Sequence, residues 1–413
     1  MTTTVPSAVV ENFAPPRPTD VAAPTTEALL AAALDMRPRL RERAAWTEQN
    51  RRLPEETLEE MHRAGFFRYW IPRRWGGAGG SLHGQIRIAA ELAKGCPSTA
   101  WVWSLLGDST GFAGSYLPEA GSRTIFTSTD RPMLAAVLAP TATARAVAGG
   151  YQVSGAWSFA SGILHANWIM GGILLVDDAG QPVDQGVAFV PLSDGTIKDT
   201  WHVIGMRGTG SNTFAVESVF VPADLLVTLG ELDSFGKAVP LEDRDICDHM
   251  PLAPLFSVGV CGPILGAAEG LLEKVTADVH KRGITYFDFP KQSDSAVVME
   301  RIGEATLRID SARLLLERGA HLLEEVTRTE ELDYKQRAWC RAAAGHAVEE
   351  LRRAADSLVS IAGASSFAEA SVIQQFWRDL HVSSRHGFVQ TRPLYEVLGR
   401  ANCDALPNIT PYV

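Results

Sequence analysis

The chain has 413 residues, 46% of them hydrophobic and 21% charged, with a formal net charge of −10 and an isoelectric point of about 5.5. This is globular composition with enough length for two or three packed sub-domains, and the acidic balance argues against nucleic acid or anionic membrane surfaces as partners. The five cysteines (Cys96, Cys247, Cys261, Cys340, Cys403) are scattered without metal-ligand spacing, so no metal is expected and the reading is of buried thiols in a reducing, cytoplasmic setting.

Residues 1–26 are rich in Thr, Pro, Ala and Val and lack a basic stretch followed by an apolar one, which predicts a flexible tail rather than a secretory signal. No apolar run of about eighteen residues stands out, so no membrane span is expected. Residues 27–132 read as an N-terminal helical domain. Glu27–Asn50, Pro54–Ala64 and Leu82–Lys94 carry apolar residues at three- and four-residue spacing. Pro54-Glu55-Glu56 is a helical first turn. The run Trp75-Gly76-Gly77-Ala78-Gly79-Gly80 is a glycine-rich loop, and Ser98-Thr99-Ala100-Trp101 opens an apolar helix reaching Tyr116.

Residues 133–227 change period. Ala144–Val153, Trp168–Val176, Gly186–Pro191 and Thr213–Phe220 are short, β-branched or alternating runs, and Asp177-Asp178-Ala179-Gly180 is a turn between two of them. They predict a small central antiparallel β-domain. Residues 228–413 return to helix, with Leu265–Arg282, Ser295–Glu325 and Tyr334–Ala362 predicting a C-terminal antiparallel four-helix bundle. The class is therefore α+β, with the β-domain between two helical regions. No GxGxxG joins a strand to a helix, which argues against a Rossmann site.

Four segments carry a resemblance to a known family. They are Gly65-Phe66-Phe67-Arg68 with Pro72-Arg73-Arg74-Trp75-Gly76-Gly77, then Cys96-Pro97-Ser98-Thr99-Ala100-Trp101, then Gly155-Ala156-Trp157-Ser158-Phe159-Ala160-Ser161-Gly162, and Gly205-Met206-Arg207-Gly208-Thr209-Gly210-Ser211. In order and spacing the chain resembles the acyl-CoA dehydrogenase fold, and within it the two-component flavin-dependent monooxygenases. These include p-hydroxyphenylacetate hydroxylase oxygenases, polyketide hydroxylases and amino-sugar N-oxygenases. The resemblance implies FMN or FAD, delivered reduced by a separate flavin reductase, with O2 as co-substrate. It also implies oxygen transfer through a C4a-hydroperoxyflavin to a phenolic or polycyclic substrate in secondary metabolism, and a homotetramer.

A dehydrogenase of this fold needs a carboxylate base for the α-proton of a thioester. Aligned on Arg378-Asp379, its usual place falls at Gly387, and no Asp or Glu lies between Asp379 and Glu396. A dehydrogenase with its base displaced elsewhere remains an alternative, as does N-oxidation of an amino sugar.

The resemblance also assigns residues. A flavin ring needs an aromatic wall and hydrogen-bond partners along its edge. Trp157 is the expected wall, Ser161 the first choice for the contact at the flavin N5, Ser158 the second, and Thr209 belongs to the second flavin segment. Without the resemblance, Trp157 and Phe159 read as core aromatics and Ser161-Gly162 as a turn. His386 is the expected group acting on a substrate hydroxyl, with His381 as its alternative and Arg385 as a partner for an anionic substrate or a surface residue. Trp103, Phe112 and a place near Ser109 are candidate substrate lining, Trp103 and Phe112 reading equally as bundle core. The p-hydroxyphenylacetate enzymes have a histidine where this chain has Ser109, which points to a larger, flatter substrate. Arg282, at a helix end, is expected on the flavin phosphates, with the small-residue turn Gly363, Ser365 and Ser366 serving the flavin of a neighbouring subunit.

Overall fold

The computed structural model describes residues 23–231, 239, 244–248, 250–326, 332–405, 407–410 and 413. Most of the expected tail, 1–22 of 1–26, lies outside the described residues. Helix α1 (Thr26–Asn50) starts at Thr25, whose side chain accepts from the Ala28 N–H at 3.2 Å, and it buries Leu29, Ala33, Met36, Leu40 and Ala44 along one stripe. Helix α2 (Glu55–Ala64) stops at Gly65, whose φ of 87° is the left-handed cap geometry. Helix α3 (Leu82–Gly95) is capped by Ser81, accepting from Gly84 N at 3.0 Å. Proline leads α4 (Pro97–Tyr116), and α5 (Glu119–Thr127) completes the N-terminal helices.

Seven strands follow: β1 (Leu134–Val147), β2 (Gly150–Ala160), β3 (Trp168–Val176), β4 (Pro182–Pro191), β5 (Thr196–Lys198), β6 (Asn212–Pro222) and β7 (Leu226–Thr228). They form one sheet in the order β5-β6-β2-β1-β3-β4-β7. The sheet is mixed rather than wholly antiparallel. Strand β6 takes the outer edge of β2, so β3 pairs with the free edge of β1 and runs parallel to it, from Leu134↔Trp168 to Arg145↔Val176. The run Ala144–Val153 is not one strand but two, folded at the β1–β2 turn.

The C-terminal helices are α6 (Leu252–Gly259), α7 (Cys261–Asp278), α8 (Ala296–His321), α9 (Tyr334–Ala362), α10 (Val372–Ser383) and α11 (Thr391–Asn402). The expected helix Leu265–Arg282 thus starts earlier and ends at Asp278. The stretch Leu252–Asp278 is apolar and long enough to cross a membrane, contrary to the sequence reading, but 94% of its apolar window is buried inside the fold. The close approach to α3 depends on Gly266, where a Cβ would stand 2.1 Å from Ala90 O. Helix α10 docks on the loop before β6. A Cβ on Gly205 would meet Arg378 O at 2.4 Å, and Asp379 accepts from Met206 N at 2.5 Å. Burial pushes the Asp379 carboxyl up to about 7.

Candidate active site

The site forms where the end of β2, the loop before β6, helix α4 and the segment after α10 converge. Strand β2 cannot run straight to its end. Its pairing with β6 shifts between Trp157 and Ala160, and Phe159 adopts φ 67°. This irregularity breaks the alternation that would have put Trp157, Phe159 and Ser161 on one face. Gly162 N then donates to Thr209 O at 2.8 Å and ties the two glycine-containing segments together.

Ser161 lies at the centre of a buried chain of hydroxyls. Trp101 Nε1 donates to Ser161 Oγ at 3.2 Å, Ser161 Oγ lies 2.8 Å from Ser211 Oγ, and Ser211 Oγ lies 2.7 Å from Thr209 Oγ1. Thr209 Oγ1 donates to Met206 O at 2.8 Å, which sets the direction of the rest. With the Thr209 hydrogen used there, Ser211 donates to Thr209 and Ser161 donates to Ser211. The Ser161 oxygen, already accepting from Trp101, keeps one lone pair for an outside donor.

His386 stands beside Trp101, their rings 5.5 Å apart and edge-on at 71°. Helix α10 ends at Ser383, so His386 is not on the helix that carries His381 but leads the turn after it. Its Nδ1 accepts from Phe388 N at 3.4 Å, which selects the tautomer with hydrogen on Nε2. Burial lowers its pKa to about 4, so the ring is neutral at pH 7. From here a row of rings continues: Phe388 lies 5.8 Å from His386, Phe256 lies 5.6 Å from Phe388, and Phe112 lies 6.4 Å from Phe256.

Several expected residues lie elsewhere. Trp157 is fully buried, donates to Gly172 O at 2.8 Å and stacks at 9° on Phe214 beneath Gly171, so it holds the sheet and forms no wall for a ring. The aromatic offered outward is Phe159, 72% exposed and edge-on to Trp201 at 5.9 Å. Ser158 is exposed and accepts from Thr213 on the other side of the strand, away from Ser161. Trp103 is bundle core, donating to Phe66 O at 2.8 Å. Ser109 bonds back to Leu105 O within its own helix. His381 pairs with Asp356 at 2.9 Å against Trp377, and Arg385 is exposed. Phe112 does line the cavity at the far end of the ring row.

Arg282 and the small-residue turn come together. Its guanidinium bonds Ser365 Oγ and Ala362 O, while Ser366 Oγ closes the turn onto Gly363 O at 2.6 Å. Gly363 has φ 72° with open space where a Cβ would point.

The residues that sequence reasoning missed are Trp101 as a donor, Ser211, Phe159 as the outward ring, and Asp108. The signal for Asp108 was its spacing. It lies seven residues after Trp101 in α4, which is two helical turns and the same face.

Comparison with known proteins places the chain in a family. Residues 28–124 match "Acyl-CoA dehydrogenase, N-terminal domain" and residues 258–391 match "Acyl-CoA dehydrogenase, C-terminal domain". The chain is 32% identical to the flavin-dependent monooxygenase oxygenase subunit HsaA of Rhodococcus jostii, over 88% of this chain and 94% of that protein. It is 29% identical to the oxygenase component of a FADH2-dependent resorcinol hydroxylase of a Rhizobium species, over 84% and 87%. Among solved structures, XiaF from a Streptomyces species, in complex with FADH2 and glycerol, superposes with a TM-score of 0.90 at 28% identity, covering 94% of this chain and 98% of that one. The chain belongs to the flavin-dependent monooxygenase oxygenase components built on the acyl-CoA dehydrogenase fold.

Proposed function

We propose that this protein hydroxylates a polycyclic phenol at the Ser161–Trp101–His386 site, using reduced flavin from a separate reductase and O2. Bound there, reduced flavin supplies activation of O2 and transfer of one oxygen atom. The observation that carries the reading is the free lone pair on Ser161. Reduced flavin has an N–H at N5 and oxidised flavin has none, so an oxygen fixed as an acceptor fits the reduced form. Phe159 is the ring offered to the flavin face. His386, neutral and with hydrogen on Nε2, donates to the substrate hydroxyl and orients it. The buried rings around it exclude water, which protects the oxygen transfer from loss as peroxide.

The row of rings His386, Phe388, Phe256 and Phe112 favours an aromatic substrate over a nucleotide-linked amino sugar. Arg282, Ser365 and the Gly363 turn are the groups we assign to the flavin phosphates, contributed by a neighbouring copy in a homotetramer. The exposed Tyr286 and Phe287, near Arg282 in the chain, and the exposed Leu307 and Leu314 on α8 support such an assembly.

Anaerobic ultrafiltration with reduced and oxidised FMN and FAD tests the reading. The wild-type protein should retain the reduced form at least ten-fold more tightly, and Ser161→Ala should lose most of that preference. Equal affinity for both redox forms in the wild type would count against it.

A further inference from the structure

The polarity of the hydroxyl chain at Ser161 depends on one backbone carbonyl. Met206 O takes the Thr209 hydroxyl hydrogen at 2.8 Å, and it also accepts from Trp201 Nε1 at 3.0 Å and from Thr209 N at 3.2 Å. While that carbonyl is in place, the single Thr209 hydroxyl hydrogen is spent on it. The hydrogens of the chain then point from Ser161 towards Met206, and Ser161 presents a lone pair outward. With the carbonyl turned away, Thr209 would donate to Ser211 and Ser211 to Ser161. Ser161 would then accept from both Trp101 and Ser211, and its own hydrogen would point outward. The same residues would offer a donor where they now offer an acceptor.

Met206 adopts a conformation that a side chain disfavours. Its φ is 54°, in the left-handed region where Cβ crowds the backbone. The donors on its carbonyl, Trp201 and Thr209, belong to the same loop between β5 and β6 and move with it. From outside the loop, the buried Asp379 of α10 accepts from Met206 N at 2.5 Å through Oδ1. The loop backbone is pressed on the same turn of α10, where a Cβ on Gly205 would stand 2.4 Å from Arg378 O. We propose that Asp379 is a positioning residue: by holding the Met206 N–H it fixes the Met206 carbonyl, and so sets Ser161 as the acceptor that selects reduced flavin. This rests on the reading of Ser161 as the reduced-flavin contact and adds the group that gives it that polarity. An ionised carboxylate and a carboxyl protonated on Oδ2 both leave Oδ1 able to accept, so the positioning holds on either side of the raised Asp379 pKa.

The test is anaerobic ultrafiltration of the full chain with reduced and oxidised FMN and FAD, read as the ratio of the two affinities. Loosened packing alone weakens both forms together and leaves the ratio unchanged. Asp379→Leu, which keeps the bulk and deletes the acceptor, should bring the ratio from about ten-fold or more down to about one or below. Asp379→Asn, which keeps an oxygen in the same place, should hold it within about two-fold of wild type. In a Ser161→Ala background Asp379→Leu should change the ratio no further, because both substitutions act at one group. Asp379→Ser, whose oxygen stops one bond short, replaces the leucine variant if that one fails to fold. A ratio left at the wild-type value by loss of the acceptor, a further fall in the Ser161→Ala background, or an asparagine variant that behaves like the leucine one would overturn the proposal. The outcome separates from the reading it rests on: equal affinities in the wild type remove both, whereas a wild-type preference that survives Asp379→Leu removes only this assignment.

Discussion

Trp101 Nε1 points at Ser161 Oγ from 3.2 Å, across sixty residues of sequence, and so joins the apolar helix α4 to the irregular end of β2. Both halves of the site hang on this contact. Trp101 holds the serine hydroxyl in one orientation and shows its ring edge to His386. Its loss would free Ser161 to rotate and would open the wall behind the imidazole.

Ser161→Ala removes the acceptor offered to the flavin edge. About five-fold more peroxide should then be released, since one hydrogen bond contributes on the order of 1 kcal/mol. Peroxide released per reduced flavin consumed is the measurement. Ser158→Ala, on the far side of the strand, should leave that ratio at the wild-type value.

Trp157 lies in the core of the sheet, and Phe159 is the ring proposed for the flavin face. Phe159→Leu should weaken flavin retention several-fold, in line with about 0.5–1.5 kcal/mol for an aromatic pair, with little change in melting temperature. Gly171→Ala should do the reverse. Its new Cβ would lie 2.2 Å from Trp157 Cε2, so the core must shift at a cost of about 1–3 kcal/mol. Thermal unfolding beside a flavin-binding assay distinguishes the two.

The partly buried imidazole of His386 has its pKa lowered by desolvation to about 4 from the ordinary 6.5. A depressed folded pKa means that the unfolded chain takes up the proton first. The stabilisation is complete above about 6.5 and is lost as pH falls towards 4. His386→Gln should therefore gain stability relative to wild type as pH falls from 7 to 5. It should also lower kcat at pH 7 by ten-fold or more, and the wild-type rate should show no acid limb near 6.5.

Asp108 has the opposite sign. Its folded pKa of about 8 lies above the ordinary 3.8, so the folded chain holds a proton that the unfolded chain has released. Stability from this group is full below about 4 and falls as pH rises to about 8. Asp108→Asn should match wild type in melting temperature near pH 4 and exceed it at pH 8. Parallel curves at both pH values would show that the carboxyl is ionised in the folded protein.

The helical parts were legible because amphipathic spacing and capping residues act locally. Pro54-Glu55-Glu56 marks the start of α2 in the sequence and in the structure. The order of the glycine-containing segments placed Ser161 and Thr209 in one cluster. Strand register was less legible. Alternation predicts that Trp157 and Ser161 share a face, but the shift at Phe159 lets one serve the core and the other the site. The parallel β1–β3 pair depends on which edge β6 occupies, a choice made 50 or more residues downstream. Helix spacing from Trp101 would have shown Asp108, but a single acidic residue in an apolar helix gives no hint of the cavity it borders.

The most direct measurement of the central claim uses 18O2. The protein would be mixed with reduced FMN or FAD, the labelled gas, and a set of mono-, di- and tricyclic phenols, and the products weighed by mass spectrometry. One 18O atom should enter at least one polycyclic phenol, with far less label when Ser161 is replaced by alanine. Unlabelled phenols throughout, together with anaerobic bleaching of the oxidised flavin by an acyl-CoA thioester, would contradict it.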